Sequence, residues 1–180
     1  MRDVYARTMF SDAAKELQET AGSRQAYERM ARSGRFEDGL SEFEREFIEA
    51  RDSFYMGTVT PDGWPYIQHR GGPAGFLKVL DERTLAFADY SGNKQYISAG
   101  NLSENDRVSL FLMDYPQQAR LKIIGRARVL KAGEDPELEA KLVREHGAKV
   151  EGVVVIDLVG YDWNCSQHIM PRFTREEWGG

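Results

Sequence analysis

Gln68, His69 and Arg70 stand in succession immediately before Gly71 and Gly72. Side chains of these types, beside backbone amides that no Cβ shields, can together hold one anionic or heteroaromatic ligand. The plainer reading is a charged strand end with a flexible turn. A second cluster, Asp89-Tyr90-Ser91-Gly92-Asn93-Lys94-Gln95-Tyr96, closes one strand and opens a helix. Free amides at a helix start, hydroxyl and amide donors and one ammonium suit a phosphate. Alone it reads equally as a hydrophilic loop with an N-cap. Arg70 would supply a second cation beside a second glycine turn, and two such clusters at neighbouring strand ends strengthen each other.

A third cluster spans residues 161–172, rich in aromatic and amide groups. Trp163 can cover a planar ring system, and Asn164, Gln167 and His168 offer hydrogen bonds to ring heteroatoms. The stretch reads as a non-regular tail after the last strand. A tail this polar needs something to dock on, either a ligand or its own barrel.

Other chemistries fit poorly. Cys165 and His168 are two potential zinc ligands without a matching second pair, and the three histidines are His69, His146 and His168. A Cys165–His168 nucleophilic pair lacks an orienting third group. There is no Walker-A loop, no His-Glu-x-x-His and no Gly-x-Gly-x-x-Gly after a strand. No residue stands out as catalytic.

The elements that must position these clusters follow from periodicity. Residues 1–50 read as a polar helical arm, with a helix from Ser11-Asp12 to Thr20, a break at Ala21-Gly22-Ser23, and a second helix from Arg24 towards Gly34. Ser41 and Glu44 have capping-box spacing ahead of an apolar face of Phe43, Phe47 and Ile48. The basic run Arg29, Arg32, Arg35 reads as a solvated helix face. The arm is too polar to fold alone and is expected to pack on the rest of the chain or on a second subunit.

From Ser53 the period changes to two. Strands are expected over residues 54–60 and 64–70, joined by Pro61-Asp62-Gly63, and over 77–80 and 84–89, joined by Asp81-Glu82-Arg83. A short helix through Tyr96, Ile97 and Leu102 precedes strands at 108–113 and 121–130, the latter with Gly125 as a bulge or bend. A helix over 136–145 and a strand over 153–159 complete the pattern. Six or seven strands in hairpin succession predict a mainly β protein, an antiparallel barrel over residues 51–175 carrying the arm of residues 1–50.

Composition bounds the rest. The 180 residues are 41% hydrophobic with a formal net charge of −5, enough for one core and unsuited to coating nucleic acid. One cysteine permits no intrachain disulfide and suits a reducing compartment. The start lacks the apolar run of a signal peptide and no segment approaches membrane-spanning length, so a soluble, cytoplasmic protein is expected.

The succession Pro65-Tyr66-Ile67-Gln68-His69-Arg70-Gly71-Gly72-Pro73, then Phe87-Ala88-Asp89-Tyr90-Ser91-Gly92-Asn93-Lys94, then Asn101-Leu102 and Arg107-Val108, resembles the pyridoxamine 5′-phosphate oxidase-like flavoproteins. So does the terminal Trp163-Asn164-Cys165-Ser166-Gln167-His168-Ile169, which is closest to the branch with an Asn-Cys-x-Gln-His-Ile tail. The resemblance covers residues 45–175. It implies a split β-barrel and a homodimer with FMN in clefts at the interface. By position, Arg70 and Lys94 would meet the FMN phosphate, with Ser91 and Asn93 assisting in the Asp89-Tyr90 loop. Gln68, His69 and Gly71 would lie along the ribityl chain and the isoalloxazine edge. Trp163, Asn164, Gln167 and His168 would approach from the partner chain, and Arg120 would contact the ring system across the interface.

The implied function is an FMN-dependent oxidoreductase acting on a small molecule or reduced nicotinamide. The alternative is a flavin-binding sensor or stress-response module without turnover; a deazaflavin or haem is a third reading, and the Ser91–Lys94 loop argues against haem. His69 and His168 are each a proton donor or a structural hydrogen-bond partner. The arginine strand runs on into Gly-Gly-Pro rather than into an apolar run ending in lysine, and the tail also differs. Both features depart from the vitamin-making oxidases.

Overall fold

The computed structural model describes residues 4–33, 39–143, 149–163 and 166–178. Four helices come first: α1 (Val4–Met9), α2 (Asp12–Thr20), α3 (Arg24–Ser33) and α4 (Glu42–Glu49). Two hairpins follow, β1 (Ser53–Val59) with β2 (Pro65–Gly71), and β3 (Lys78–Asp81) with β4 (Thr84–Tyr90). Helix α5 (Ile97–Glu104) leads into a third hairpin of β5 (Arg107–Asp114) and β6 (Ala119–Lys131). Then come α6 (Pro136–Leu142), β7 (Val150–Trp163) and the short α7 (Arg175–Trp178).

The seven strands form one antiparallel sheet in the order β2-β1-β5-β6-β7-β4-β3. Strands towards opposite ends of that order still meet. Arg70 on β2 pairs its Nη1 with Asp89 Oδ1 on β4, so the sheet curls until its two sides nearly touch without sharing backbone hydrogen bonds. The result is the antiparallel barrel expected from the hairpin succession, and it stays split as the resemblance implies.

Alternation fills the inside. Phe54 and Met56 on β1, Leu110 and Leu112 on β5, and Leu121 and Ile123 on β6 are all buried and share one core with Phe87 and Ile156. Phe54 stacks on Phe76 and meets Phe87 edge-on, with centroids 5.5 and 5.3 Å away. Burying each such side chain contributes roughly 1.5–3 kcal/mol. A second, smaller core lies on the other face of β4 and β7, where Leu142 of α6 packs on Ala86, Ala88, Val153 and Val155. The bulge expected at Gly125 is present as a register shift between Ile124 and Gly125 against β7. A Cβ at Gly125 would lie 2.7 Å from Ile156 Cγ2 and 2.8 Å from the Asp157 carbonyl oxygen.

The helical arm divides into parts with different fates. Leu40 and Ile48 belong to the barrel core. Arg51, just after α4, pairs with Asp114 at 2.7 Å and donates to the carbonyls of Phe47 and Met113, tying α4 to the end of β5. Helix α1 lies on β7, where a Cβ on Gly160 would sit 2.9 Å from the Tyr5 amide nitrogen. Helices α2 and α3 pack on each other, and α2 has no buried residue. Ser11 caps α2 as expected, accepting from the Ala14 amide at 3.2 Å. The helix expected over 136–145 is α6, which ends at Leu142; residues 144–148, with His146, lie outside the described residues.

One expectation is corrected. Tyr161, Asp162 and Trp163 are not in an irregular tail: β7 continues to Trp163, which pairs with Leu121 on β6. The strand extends because β6 is 13 residues long and offers it a partner along its whole length. Trp163 then packs between Phe43 and Phe47 of α4, centroids 5.3 and 4.7 Å away, and donates its indole N–H to Glu44 Oε1 at 2.9 Å. Glu44 Oε2 also accepts from the Ser41 amide at 3.0 Å and from the Ser41 hydroxyl.

Burial on its own would raise the Glu44 carboxyl, but the Ser41 hydroxyl, the Trp163 indole and the Ser41 amide outweigh it and hold the group below the usual carboxylate range. A depressed carboxyl contributes stability that is full above its unfolded value and is lost as pH falls through its folded one. Replacing Glu44 with Gln is therefore expected to cost about 1–2 kcal/mol near neutrality and to reduce the acid-side fall in stability. Urea titrations of both proteins between pH 3 and 7, followed by tryptophan fluorescence, measure this; parallel curves would remove Glu44 as the acid-sensitive link. The clamp across the split has its own test. A double-mutant cycle of Arg70→Ala and Asp89→Ala is expected to give a coupling of about 1–2 kcal/mol in urea unfolding, and purely additive single losses would mean that the pair does not hold the barrel shut.

Candidate functional site

The strand period sorts the first cluster by face. On β2, Gln68 and Arg70 are half-buried while Ile67, His69 and Gly71 are exposed. Gln68 and Arg70 turn inward, towards α5 and β4; His69 turns outward, where it meets the Tyr55 ring edge-on at 5.6 Å. Adjacent residues on a strand point to opposite sides, so these three do not all face one side of the sheet. A ligand touching all three must pass across the β2 edge.

The inner half of the site is well supported. Gln68 Oε1 accepts from the Ser98 hydroxyl at 2.7 Å, and Asn101 donates to the Thr58 hydroxyl at 2.9 Å. Both bonds fasten α5 to the first hairpin, and neither Ser98 nor Asn101 was singled out as a site residue from sequence. The signal was their spacing of three on a helix that follows a candidate phosphate loop. Arg70 is fixed by Asp89 and lies 5.6 Å over the Phe87 ring, leaving its buried Nε without any acceptor.

Asp89 and Tyr90 end β4, and the exposed Ser91, Gly92, Asn93 and Lys94 follow. The Ser91 amide is used by the Lys149 carbonyl at 2.8 Å, and Asn93 Oδ1 turns the chain by accepting from the Gln95 amide at 3.2 Å. Lys94 and Tyr96 both adopt positive φ, 60° and 52°, which bends the loop into the start of α5. Gly92 has open space where a Cβ would stand. The Gly71-Gly72 turn does not: a Cβ at Gly72 would strike Phe76 at 2.8 Å, and one at Gly71 would meet its neighbour His69 at 3.0 Å. Gly72 is small because a core phenylalanine fills its side-chain space. Open space lies at Gly92 of the 91–94 loop, whereas the space at Gly72 is taken up by packing.

The outer half is a groove of about 910 Å³ on the outward face of β1, β2, β5 and β6. Tyr55, Ile67, Phe111 and Met113 give it an apolar floor, and Thr8 and Met9 of α1 form part of its wall. Arg120 lines it opposite Met113, its Nε buried and without an acceptor. The tail bends over this end: Gln118 donates to the Ile169 carbonyl, Ile169 is buried, and Arg172 rests 4.8 Å over the Tyr115 ring. His168, at φ 65°, lines the same groove, while Gln167 stays at the surface. This groove was not singled out from sequence. Its signal was the apolar side chains on both phases of β1, Phe54 and Met56 inward but Tyr55 and Val59 outward.

Trp163 joins neither half in its own chain, since α4 holds its ring. Asn164 and Cys165 lie outside the described residues. Among the described residues no group of three or more His, Cys, Asp or Glu could hold a metal ion. No helix among them is long and apolar enough to cross a membrane.

Comparison with known proteins follows the same outline. No curated protein matches the chain. Among solved structures, HupZ from Group A Streptococcus superposes with a TM-score of 0.56 at 16% identity, covering 74% of this chain and 99% of its own. A putative pyridoxamine 5′-phosphate oxidase from Lactobacillus delbrueckii gives 0.53 at 21%, covering 69% and 93%. An FMN-binding protein from Syntrophomonas wolfei gives 0.53 at 17%, covering 82% and 97%. At these identities the likeness is one of fold, the split barrel. The family model for pyridoxamine 5′-phosphate oxidase matches residues 40–163, from the core residue Leu40 through the end of β7. The chain belongs to the pyridoxamine 5′-phosphate oxidase family.

Proposed function

We propose that this protein binds FMN at the interface of a homodimer and works as an oxidoreductase on a small molecule or reduced nicotinamide. The observation that carries the reading is the buried, unpartnered Nε of Arg70, held beside the open 91–94 loop in a chain of this family. A guanidinium stays charged at any working pH, so a buried N–H without an acceptor is best satisfied by an anion. Arg70 and Lys94 would hold the phosphate from two sides, with Ser91 and Asn93 as neutral donors. Asp89 holds Arg70 through Nη1 and offsets its charge, and the pair leaves Nε free as a donor. Gln68, steadied by Ser98, would lie along the ribityl chain, and His69 and Gly71 along the outer edge.

The groove on the outward face suits both the flat ring system and a second subunit. Ile67 is 69% exposed and Tyr55 41% exposed there, which is a large apolar area for a chain to leave in water. A second copy laid on this face would bring its own tail, with Trp163, Asn164, Gln167 and His168, near the site. Arg120 would then face the ring system. The bound flavin supplies two-electron redox chemistry, so no nucleophile is asked of the protein. A single cysteine, Cys165, suits a reducing, cytoplasmic setting.

The test begins with the absorption spectrum of purified protein after incubation with FMN and desalting. Retention of about one flavin per chain is expected, with elution as a dimer in light-scattering chromatography. Arg70→Ala and Lys94→Ala should each weaken FMN binding by roughly 10- to 100-fold, the loss of one charge-assisted contact, with unchanged circular dichroism. A protein that retains no FMN would sink the cofactor. Stopped-flow mixing of the loaded protein with NADPH or NADH then separates catalysis from storage: unaccelerated bleaching with either donor would favour a flavin-binding module.

A further inference from the structure

The loop of residues 91–96 is fastened at both ends to one short stretch of chain. At its start the Ser91 amide donates to the Lys149 carbonyl at 2.8 Å. At its end Tyr96 donates its hydroxyl to the Glu151 carboxylate. Residues 149–151, where β7 begins, therefore clasp the loop into a closed arch.

An irregularity of the sheet places Glu151 for this. Asp89 of β4 stands opposite Gly152 and Tyr90 opposite Val150, so the half-buried Glu151 is the extra residue of a bulge. A bulge re-aims the side chain it carries, and bulges gather beside functional sites. The Glu151 backbone is fastened from the other side, where its carbonyl accepts from the Ala132 amide at 3.3 Å. Next to it, a Cβ at Gly152 would stand 2.5 Å from the Leu130 carbonyl oxygen, so β6 leaves this corner no room to shift.

The arch needs an external hold, because its backbone is strained. Lys94 and Tyr96 both have positive φ, which residues with a Cβ rarely adopt. Such conformations persist only where the surroundings over-determine them, and they cluster at ligand clamps. Partial desolvation, the charge of Glu151, the bond to it and the charge of Asp89 all raise the Tyr96 hydroxyl above its ordinary value. It keeps its proton and stays a donor. The same Asp89 holds Arg70, so side chains from β2, β4, the start of α5 and β7 meet at one corner of the loop.

We propose that Glu151 and Tyr96 form a latch that pre-shapes the 91–96 loop for the flavin phosphate. Glu151 is a positioning residue: it acts through Tyr96 and does not itself meet the anion, which its own charge would repel. The inference rests on the flavin reading for the identity of that anion. It adds a basis for preferring FMN to riboflavin, which has no phosphate for a shaped loop to hold. Preorganisation raises affinity by sparing the ligand the cost of ordering the loop.

The test titrates FMN and riboflavin into the full chain, followed by flavin fluorescence. Tyr96 is 55% exposed, so removing its hydroxyl probes the bond without disturbing the core. Tyr96→Phe and Glu151→Ala are each expected to weaken FMN ~10-fold, the worth of one bond to a charged group, and riboflavin by less than ~2-fold. The double variant should bind no more weakly than either single one, and Glu151→Gln, which keeps an acceptor, should recover most of the loss. Unchanged FMN affinity in Tyr96→Phe, equal losses for both flavins, fully additive single losses, or tighter FMN binding by Glu151→Ala would each overturn the latch. Hydrogen–deuterium exchange of the amides of residues 91–97 in the flavin-free chain gives a reading independent of the cofactor. Both single variants are expected to exchange ~10-fold faster there than the wild type, and unchanged exchange would sink the proposal. A wild-type chain that binds neither flavin, with that exchange accelerated in both variants, would end the flavin reading and leave the latch standing.

Discussion

A curled sheet has two faces, and every strand residue must belong to one of them. In this chain both faces carry apolar side chains, and that constraint governs the rest of the structure. The inner face is answered within the chain by the opposite wall of the barrel and by Ile48 of α4. The outer face is answered in pieces: α6 covers β4 and β7 through Leu142, and α1 sits on β7 at Gly160. Among the described residues, the outer face of β1, β2 and β5 is covered only at its rim, by the end of α1 and the tail, and there the groove lies. The uncovered patch is where apolar surface still faces water, which is why the proposed second subunit and the proposed ring system are both directed to it.

The same constraint explains what was legible in the sequence. The hairpins were readable because Pro61-Asp62-Gly63 and Asp81-Glu82-Arg83 interrupt period-two runs, and the Gly125 bulge because a lone glycine in a long strand has few other uses. The loop 91–94 was readable for its residue types. What was not readable is which residues meet across the barrel. Asp89 sits beside Arg70 only because the sheet curls, and nothing within 19 positions of chain announces it. Trp163 looked like part of a free tail because its partners, Phe43, Phe47 and Glu44, lie about 120 residues earlier. Gly72 looked like a ligand cradle because the packing of Phe76 against it is equally invisible in a one-dimensional pattern.

The partners of the arginines distinguish support from function. Arg45 donates to the Val79 carbonyl and Arg51 to two carbonyls beyond its carboxylate, so each is consumed in fastening α4 to the sheet. Arg70 and Arg120 are different. Each keeps a buried Nε without an acceptor, the two side-chain atoms of this kind among the described residues. A fold that satisfies its other buried side-chain donors leaves these two Nε atoms unsatisfied at the cost of stability, which is the usual signature of a place where a ligand completes the structure.

The two lie on opposite faces of the sheet, Arg70 inward and Arg120 outward. A central strand would wall such positions off from each other, since its backbone is bonded on both sides. β2 is an edge strand, paired among the described residues with β1 alone. Past its free edge, one extended molecule can place an anion against Arg70 and the 91–94 loop while its flat portion reaches the outer groove. FMN has that form, a phosphate joined through a flexible polyol to a planar ring. A strand edge is ordinarily a hazard, open to pairing with other chains. Here Gln68, His69 and Gly71 lie along it, and occupation of that edge by the proposed cofactor and subunit would turn the hazard into the seat of the chemistry.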